Sequence, residues 1–231
     1  MQYEHLFFDL DHTLWDFDTN SREAMQDIYT GHELNKRGVG DFNEFFEKYS
    51  QHNHHLWEKY SKGLIKQDEL RWKRMWLSLL DYKIADESLS RSMGVKFLDI
   101  LPTKNSLFPY THEILTYLKN KGYVMHLITN GFEKVQYHKL EKSNIGSFFK
   151  EVITSEGSNS LKPNKEIFDH ALQRAGAGQK ESIMIGDNLE ADIIGGMNAG
   201  LDTVFVNHIN AITDIKPTYT IYHLKELESI F

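Results

Sequence analysis

The stretch Leu6-Phe7-Phe8-Asp9-Leu10-Asp11-His12-Thr13-Leu14, residues 6–14, joins a short apolar run to two closely spaced acids. The apolar run is far too short to span a membrane and is typical of the end of a buried strand. Asp9 and Asp11 are two residues apart, so in a continuing strand their side chains would point to one side, roughly 6.6 Å apart at the Cα atoms. This stretch therefore predicts two carboxylates that face one site.

The chain beyond Pro109 alternates between strand-like and helix-like segments. We predict strands at 123–128, 151–154, 182–185 and 203–206, and helices at 114–121, 132–143, 165–174 and 190–198. Such alternation, with right-handed crossovers, builds a doubly wound parallel sheet. The first strand belongs to this sheet, because partners for a βαβ unit occur only after Pro109.

The long segment between the first strand and Pro109 has a different composition and residue pattern. It is rich in aromatic and charged residues, its apolar residues recur at helical spacing, and it contains no convincing period-2 stretch. We predict three to five helices here. The expected fold is thus an α/β core of residues 1–15 and 105–231, with an all-helical cap domain of residues 16–104 inserted into it.

Polar residues follow three of the predicted strands. Asp9 follows the first, Thr129-Asn130-Gly131 the second, and Gly186-Asp187 the fourth. Because the carboxyl ends of parallel strands meet at one edge of a sheet, these residues should converge. Three acids in one place require a cation, or protonation of some of them, and oxygen ligands alone indicate Mg²⁺.

This set of residues suits phosphoryl transfer. Asp9 can attack phosphorus, and Asp11 can protonate the leaving oxygen and then accept a proton from water. Thr129, the backbone N–H groups of Asn130 and Gly131, and the start of the next helix can hold phosphate oxygens, while Lys162 supplies a positive charge. Taken singly, the two acids are equally explained as turn residues or helix caps, whereas Thr129-Asn130-Gly131 is better explained as a turn and Lys162 as a solvated lysine.

Four motifs in order resemble those of haloacid dehalogenase (HAD)-superfamily phosphatases: Asp9-Leu10-Asp11-His12-Thr13-Leu14, Thr129-Asn130-Gly131, Lys162-Pro163, and Gly186-Asp187-Asn188 with Asp192. The resemblance covers nearly the whole chain and implies a Rossmann-like core. It implies that Asp9 is the nucleophile and a metal ligand, Asp11 the acid/base and a ligand through its carbonyl, and Asp187 the third ligand. It further implies phosphate binding by Thr129 and Lys162, and a role for Asp192 in orienting metal-bound water.

Two details refine this resemblance. Dehalogenases of the superfamily lack the second acid, so Asp11 favours a phosphatase. Glycine commonly follows that acid in the family, whereas this chain has His12.

A narrower resemblance concerns the substrate. Thr129-Asn130-Gly131-Phe132 with Gln136, Lys162-Pro163-Asn164-Lys165, and Leu56-Trp57 with Gly63 are similar to the pyrimidine 5′-nucleotidase subgroup. We therefore expect a Mg²⁺-dependent 5′-nucleotidase whose cap selects the substrate. A sugar-phosphate or phosphoglycolate phosphatase or phosphomutase would share every core residue, and a non-catalytic phosphate-binding module is a more distant alternative.

Composition excludes several other classes. The 231 residues carry a formal charge of −7 and no cysteine, which argues against a nucleic-acid partner, disulfides and thiolate metal sites. No stretch is long and apolar enough for a membrane span, and nothing resembles a targeting signal. We expect a cytoplasmic monomer or weak dimer that acts on a small phosphomonoester.

Overall fold

The structure is a computed structural model that describes residues 2–231, and the chain divides into two compact units. One unit comprises Met1–Phe17 and Asn105–Phe231, and the other comprises Asp18–Lys104. The sequence predicts domain boundaries between residues 15 and 16 and between residues 104 and 105.

The helical segment consists of α1 (Phe17–Gly31), α2 (Phe42–Ser61), α3 (Gln67–Leu80) and α4 (Glu87–Ile100). Asp41 and Asp86 precede α2 and α4, and their side chains accept hydrogen bonds from first-turn N–H groups that lack a helical partner. Helices α3 and α4 pack so closely at Gly94 that a Cβ there would lie only 2.7 Å from the carbonyl oxygen of Arg71. The aromatic and aliphatic residues at helical spacing thus form the interior of this unit, as Phe45, Met75 and Phe97 show.

The other unit contains a six-stranded, wholly parallel sheet with the order β3-β2-β1-β4-β5-β6. Its strands are β1 (His5–Phe8), β2 (Val124–Thr129), β3 (Phe149–Thr154), β4 (Ser182–Gly186), β5 (Asp202–Val206) and β6 (Tyr219–Ile221). This order reverses direction beside β1, which is where doubly wound sheets bind their ligands. The architecture confirms the α/β fold expected from the sequence.

Helices connect these strands. They are α5 (Thr111–Asn120), α6 (Glu133–Lys142), the short α7 (Ser155–Ser158), α8 (Lys165–Ala175) and α9 (Gly195–Asn198). A π-helical segment, Leu189–Ile194, runs directly into α9. The single helix predicted at 190–198 is therefore two segments of different pitch, and β6 is an additional strand that the sequence did not indicate.

The interior of this unit is apolar on both sides of the sheet. One cluster joins β1, β2 and β4 to α8 through Phe7, Ile128, Met184, Ile167 and Phe168. Each such side chain contributes about 1.5–3 kcal/mol when it is fully buried. This packing gives a rigid support for the residues at the ends of the central strands.

Candidate active site

The ends of three neighbouring strands place the predicted site residues side by side. Phe8, the last residue of β1, pairs with Leu127 of β2 and Ile185 of β4. Asp9 follows β1, Thr129 is the last residue of β2, and Asp187 follows β4. The expected convergence at one edge of the sheet is therefore present.

A buried ion triad lies at the centre of this edge. The Lys162 ammonium lies 2.6 Å from Asp9 Oδ1 and 2.6 Å from Asp192 Oδ1, and it also donates to the Ile128 carbonyl oxygen. Burial opposes the charge on Lys162, but the Asp192 and Asp9 carboxylates outweigh burial and raise its pKa. Lys162 is therefore a fixed, permanent cation at this position.

Thr13 links the acids of β1 and β4. Its hydroxyl hydrogen is within reach of Asp9 Oδ2 at 3.2 Å and Asp187 Oδ1 at 3.0 Å. Its oxygen accepts the backbone N–H of Asp187 at 3.1 Å. The residue is fully buried, so this hydroxyl fixes the relative position of the two carboxylates.

Asp9, Asp187 and Asp192 form a group whose nearest oxygens all lie within 4.8 Å of one another. Burial raises the pKa of Asp9 to about 7, with Lys162 acting in the opposite direction. Burial also raises the pKa of Asp187 well above its ordinary value, and the neighbouring Asp9 and Asp192 add to this effect. Because Lys162 pairs with two of the three carboxylates, the cluster keeps excess negative charge that fits a hard divalent cation.

Asp11 is not an extension of the strand, which corrects the expectation from the two-residue spacing. Strand β1 ends at Phe8, and His12 has φ 65°, in the left-handed region. The chain therefore turns immediately after the two acids. That conformation favours glycine, the residue that the HAD resemblance leads one to expect at this position.

The Asp11 carboxylate points toward α6. Gln136 Nε2 donates to Asp11 Oδ2 at 2.9 Å, and the Lys139 ammonium lies 2.6 Å from Asp11 Oδ1. The Asp11 side chain is not a member of the three-acid group. The expectation that Asp11 is a metal ligand therefore concerns its backbone carbonyl and not its side chain.

The hydroxyl oxygen of Thr129 already accepts two hydrogen bonds. It accepts hydrogen bonds from Gln136 Nε2 at 2.5 Å and from the Gly131 backbone N–H at 3.1 Å. The hydroxyl hydrogen must then point elsewhere, which leaves it suited to donate to an anion. The Gly131 N–H, expected to contact phosphate, instead orients Thr129.

Asn130 acts on the Lys162 backbone through its side chain. Its Nδ2 donates to the Lys162 carbonyl at 2.9 Å, and its Oδ1 accepts the Lys162 N–H at 2.8 Å. This two-point contact holds the loop that carries the lysine. Of the groups on Asn130, only the backbone N–H then fits the phosphate-binding role expected from the sequence.

Asp192 lies on the π-helical segment and is almost fully buried. Its Oδ2 accepts the Asn188 backbone N–H at 3.0 Å, while its Oδ1 faces Lys162. Gly186 makes this possible, since a Cβ there would overlap the Asp192 carboxylate. The glycine at the end of β4 is therefore required for the close approach of Asp192.

Comparison with known proteins agrees with this geometry. Residues 3–200 match the model of a haloacid dehalogenase-like hydrolase family. The chain belongs to this family. The pyrimidine 5′-nucleotidase PynA of Streptococcus pneumoniae is 32% identical over 98% of this chain and 94% of its own length. The pyrimidine 5′-nucleotidase YjjG of Escherichia coli is 31% identical over 100% of this chain and 98% of its own.

A solved structure extends the comparison to the fold. The HAD-hydrolase YfnB of Bacillus subtilis, in a magnesium-bound form, superposes with a TM-score of 0.90 at 28% identity, covering 100% of this chain and 99% of that one. These matches confirm the HAD resemblance and the expected enzyme class, the phosphoric monoester hydrolases. Among residues 2–231, no helix has the length and apolar character needed to cross a membrane.

Sequence reasoning missed two residues of this site. Thr13 was part of a motif, but its hydroxyl link between two acids depends on the turn after Phe8. Lys139 gave no motif signal, and only its position three residues after Gln136 on one helix face could have indicated it. Both are buried polar residues, and each has a partner from a distant part of the chain.

Proposed function

We propose that this HAD hydrolase is a Mg²⁺-dependent pyrimidine nucleoside 5′-monophosphate phosphatase that works through an aspartyl-phosphate intermediate. The observation that carries the chemistry is the buried Asp9, fixed between Lys162 and Thr13 beside two further carboxylates. The substrate class rests on the two pyrimidine 5′-nucleotidases that match along essentially the whole chain.

Asp9 is the nucleophile in this proposal. One carboxylate oxygen forms a bond to phosphorus while the bond from phosphorus to the nucleoside 5′-oxygen breaks. Asp11 gives its proton to that departing oxygen. Asp11 then takes a proton from the water that attacks phosphorus, which releases inorganic phosphate and restores the Asp9 carboxylate.

Binding of the phosphate group falls to residues around Asp9. Lys162 supplies a buried positive charge, and the Thr129 hydroxyl and Asn130 backbone N–H donate hydrogen bonds to phosphate oxygens. Asp9, Asp187 and the backbone carbonyl of Asp11 would hold Mg²⁺, which when bound neutralises charge on the phosphate oxygens. Asp192 orients groups next to that position through its contacts with Lys162 and Asn188.

A substrate panel tests the proposal. Phosphate release is measured for pyrimidine and purine nucleoside 5′-monophosphates, ribose 5-phosphate, glyceraldehyde 3-phosphate and p-nitrophenyl phosphate, with Mg²⁺ present. We expect kcat/KM for the best pyrimidine nucleotide to exceed that of every sugar phosphate by about 10-fold or more, since contacts to a base are worth about 1–3 kcal/mol. A mock purification from cells that lack the protein is the blank for contaminating phosphatases.

Two outcomes would contradict the proposal in different ways. A sugar phosphate that ranks above all nucleotides would replace the substrate assignment by that of a sugar-phosphate phosphatase and leave the chemistry in place. Turnover that persists unchanged in Asp9→Asn would overturn the chemistry itself.

A further inference from the structure

Two side chains from one face of α6 hold the Asp11 carboxylate. Gln136 and Lys139 are three residues apart, which places them on the same side of the helix. Gln136 Nε2 lies 2.9 Å from Asp11 Oδ2, and Lys139 Nζ lies 2.6 Å from Asp11 Oδ1. Each carboxylate oxygen therefore has its own donor, and the side chain is fixed in both position and rotation.

Lys139 is unusually buried for a lysine, since its side chain is only 3% exposed. Its ammonium lies 4.2 Å from the ring centroid of Trp15, which is fully buried, and 5.6 Å from that of Phe17. A buried ammonium is costly unless it is paired, and here the Asp11 carboxylate and the aromatic faces stabilise it. This environment restrains the ammonium to the position that contacts Asp11.

Gln136 connects Asp11 with the phosphate-binding residue expected on β2. The same Nε2 that contacts Asp11 donates to Thr129 Oγ1 at 2.5 Å. The Gln136 side chain is fully buried, and it fits there because Gly131 has no side chain: a Cβ at Gly131 would overlap the Gln136 amide. One side chain thus sets the distance between Asp11 and Thr129.

We propose that Lys139 and Gln136 are positioning residues for Asp11, acting on the transfer of a proton to the leaving oxygen. The inference rests on the role of Asp11 as general acid/base in the proposed function. Neither residue needs to touch the substrate. Their contribution is to keep the Asp11 carboxyl group at a fixed place relative to Thr129, and hence relative to the phosphate that Thr129 binds.

This role has a signature that a purely structural role lacks. A phenolate that departs readily needs little help from a general acid, whereas a more basic leaving group depends on it strongly. Loss of Asp11 positioning therefore slows poor leaving groups more than good ones. General damage to the fold or to phosphate binding would slow both alike.

The experiment compares phenyl phosphate with p-nitrophenyl phosphate in wild type, Lys139→Met and Asp11→Asn, with Mg²⁺ present. We expect kcat/KM of Lys139→Met to fall about 10-fold more for phenyl phosphate than for p-nitrophenyl phosphate, because kcat/KM reports the step in which the leaving group departs. Asp11→Asn should show the same selectivity to a larger extent. The double variant should lose no more than Asp11→Asn alone, because Lys139 acts through Asp11.

Three further variants complete the design. Lys142→Met removes an exposed lysine from the same helix and should behave as wild type. Lys139→Arg keeps the charge and should recover part of the rate on phenyl phosphate. Gln136→Met keeps side-chain length, carries the same expectation as Lys139→Met, and decides the question if Lys139→Met does not fold.

The results separate failure of the inference from failure of the proposed function. If Asp11→Asn loses phenyl phosphate activity selectively while Lys139→Met and Gln136→Met slow both esters equally or not at all, the positioning role is overturned and Asp11 keeps its role. If Asp11→Asn itself shows no dependence on the leaving group, the assignment of Asp11 as acid/base is wrong.

Discussion

Asp9 carries a charge in a place where a charge is costly. Only 7% of the residue is exposed, and burial raises its pKa to about 7 against the pull of Lys162, which lowers it. The nearby carboxylates of Asp192 and Asp11 contribute to this rise. A carboxylate in this setting is poorly solvated and firmly placed, and both properties favour attack on an electrophilic phosphorus.

Replacing Asp9 by asparagine tests its role directly. Asp9→Asn should reduce phosphate release by at least about 10³-fold, because the amide has nearly the same shape but cannot form the acyl phosphate. The unfolding midpoint should not fall, since a buried charge is removed without leaving a cavity. Asp169→Asn, on the exposed face of α8, is the matched control and should keep full activity.

Replacement of Lys162 should lower stability as well as activity, because its removal leaves two carboxylates without their cation. Lys162→Met should abolish turnover and, in EDTA at pH 8, lower the free energy of unfolding by about 3–5 kcal/mol in urea titrations. The loss should be smaller at pH 5.5, where Asp9, whose pKa burial raises to about 7, can take up a proton. Lys165→Met, which breaks only an exposed pair with Asp169, should change stability by less than about 1 kcal/mol. Equal losses for the two variants would contradict the buried-triad interpretation.

The sequence could place the acids of this site but not the direction of their side chains. Asp9 and Asp187 were predictable because both directly follow buried strands. The orientation of Asp11 was not, because it depends on where β1 ends and on the left-handed conformation of His12. The contacts of Thr13 with Asp187 and of Lys139 with Asp11 were equally hidden, since the members of these pairs lie 174 and 128 residues apart in the chain.

At the level of elements, periodicity predicted the order of strands and helices after Pro109, and the boundaries moved by only a few residues. Three features escaped it, and the first is the four-residue helix α7, which is too short for a periodic signal. Strand β6 has three residues, too few for a periodic signal. The π-helical segment 189–194 comes with tertiary contacts that periodicity does not encode. Asp192 reaches Lys162, and Gly195, the next residue after the segment, lies so close to Phe168 that a Cβ would come within 2.9 Å.

The pairing of β1 with β2 contains a buried histidine that should make stability depend on pH. His126 stacks on Phe7 and contacts His5 at 3.0 Å. Burial lowers the pKa of His126 to about 4 from 6.5, with His5 and Lys150 adding to the effect and Glu151 opposing it. Because the unfolded chain binds this proton more readily, the contribution of His126 to stability is complete above pH 6.5 and is lost as the pH falls toward 4.

His126→Leu should therefore unfold with a weaker pH dependence than wild type. Between pH 7.5 and 5.5, wild type should lose about 1 kcal/mol more free energy of unfolding than the variant, measured by urea titration at each pH. His54→Leu, at an exposed histidine of α2, should keep the wild-type slope. Parallel curves for wild type and His126→Leu would show that His126 is not the titrating group.

For the whole molecule, the acid cluster links stability to divalent cations. The folded chain gives Asp9 a pKa of about 7 in place of 3.8. Between these pH values the native state binds more protons than the unfolded state, so this site makes the protein less stable as the pH rises through that window. A cation that binds the ionised carboxylates reverses the loss, and protons compete with it at lower pH.

Mg²⁺ should consequently raise the unfolding temperature more at pH 8 than at pH 5.5. A cation at 100 times its dissociation constant stabilises by about 2.7 kcal/mol, which for a chain of this length corresponds to a shift of roughly 5–10 °C at pH 8. Calorimetry in EDTA and in Mg²⁺ at the two pH values measures the difference. Asp187→Asn, which removes one acid of the cluster, should reduce the shift at pH 8, whereas Asp169→Asn on the surface should not. A Mg²⁺ shift of the same size at both pH values, or one unaffected by Asp187→Asn, would place the cation away from this cluster.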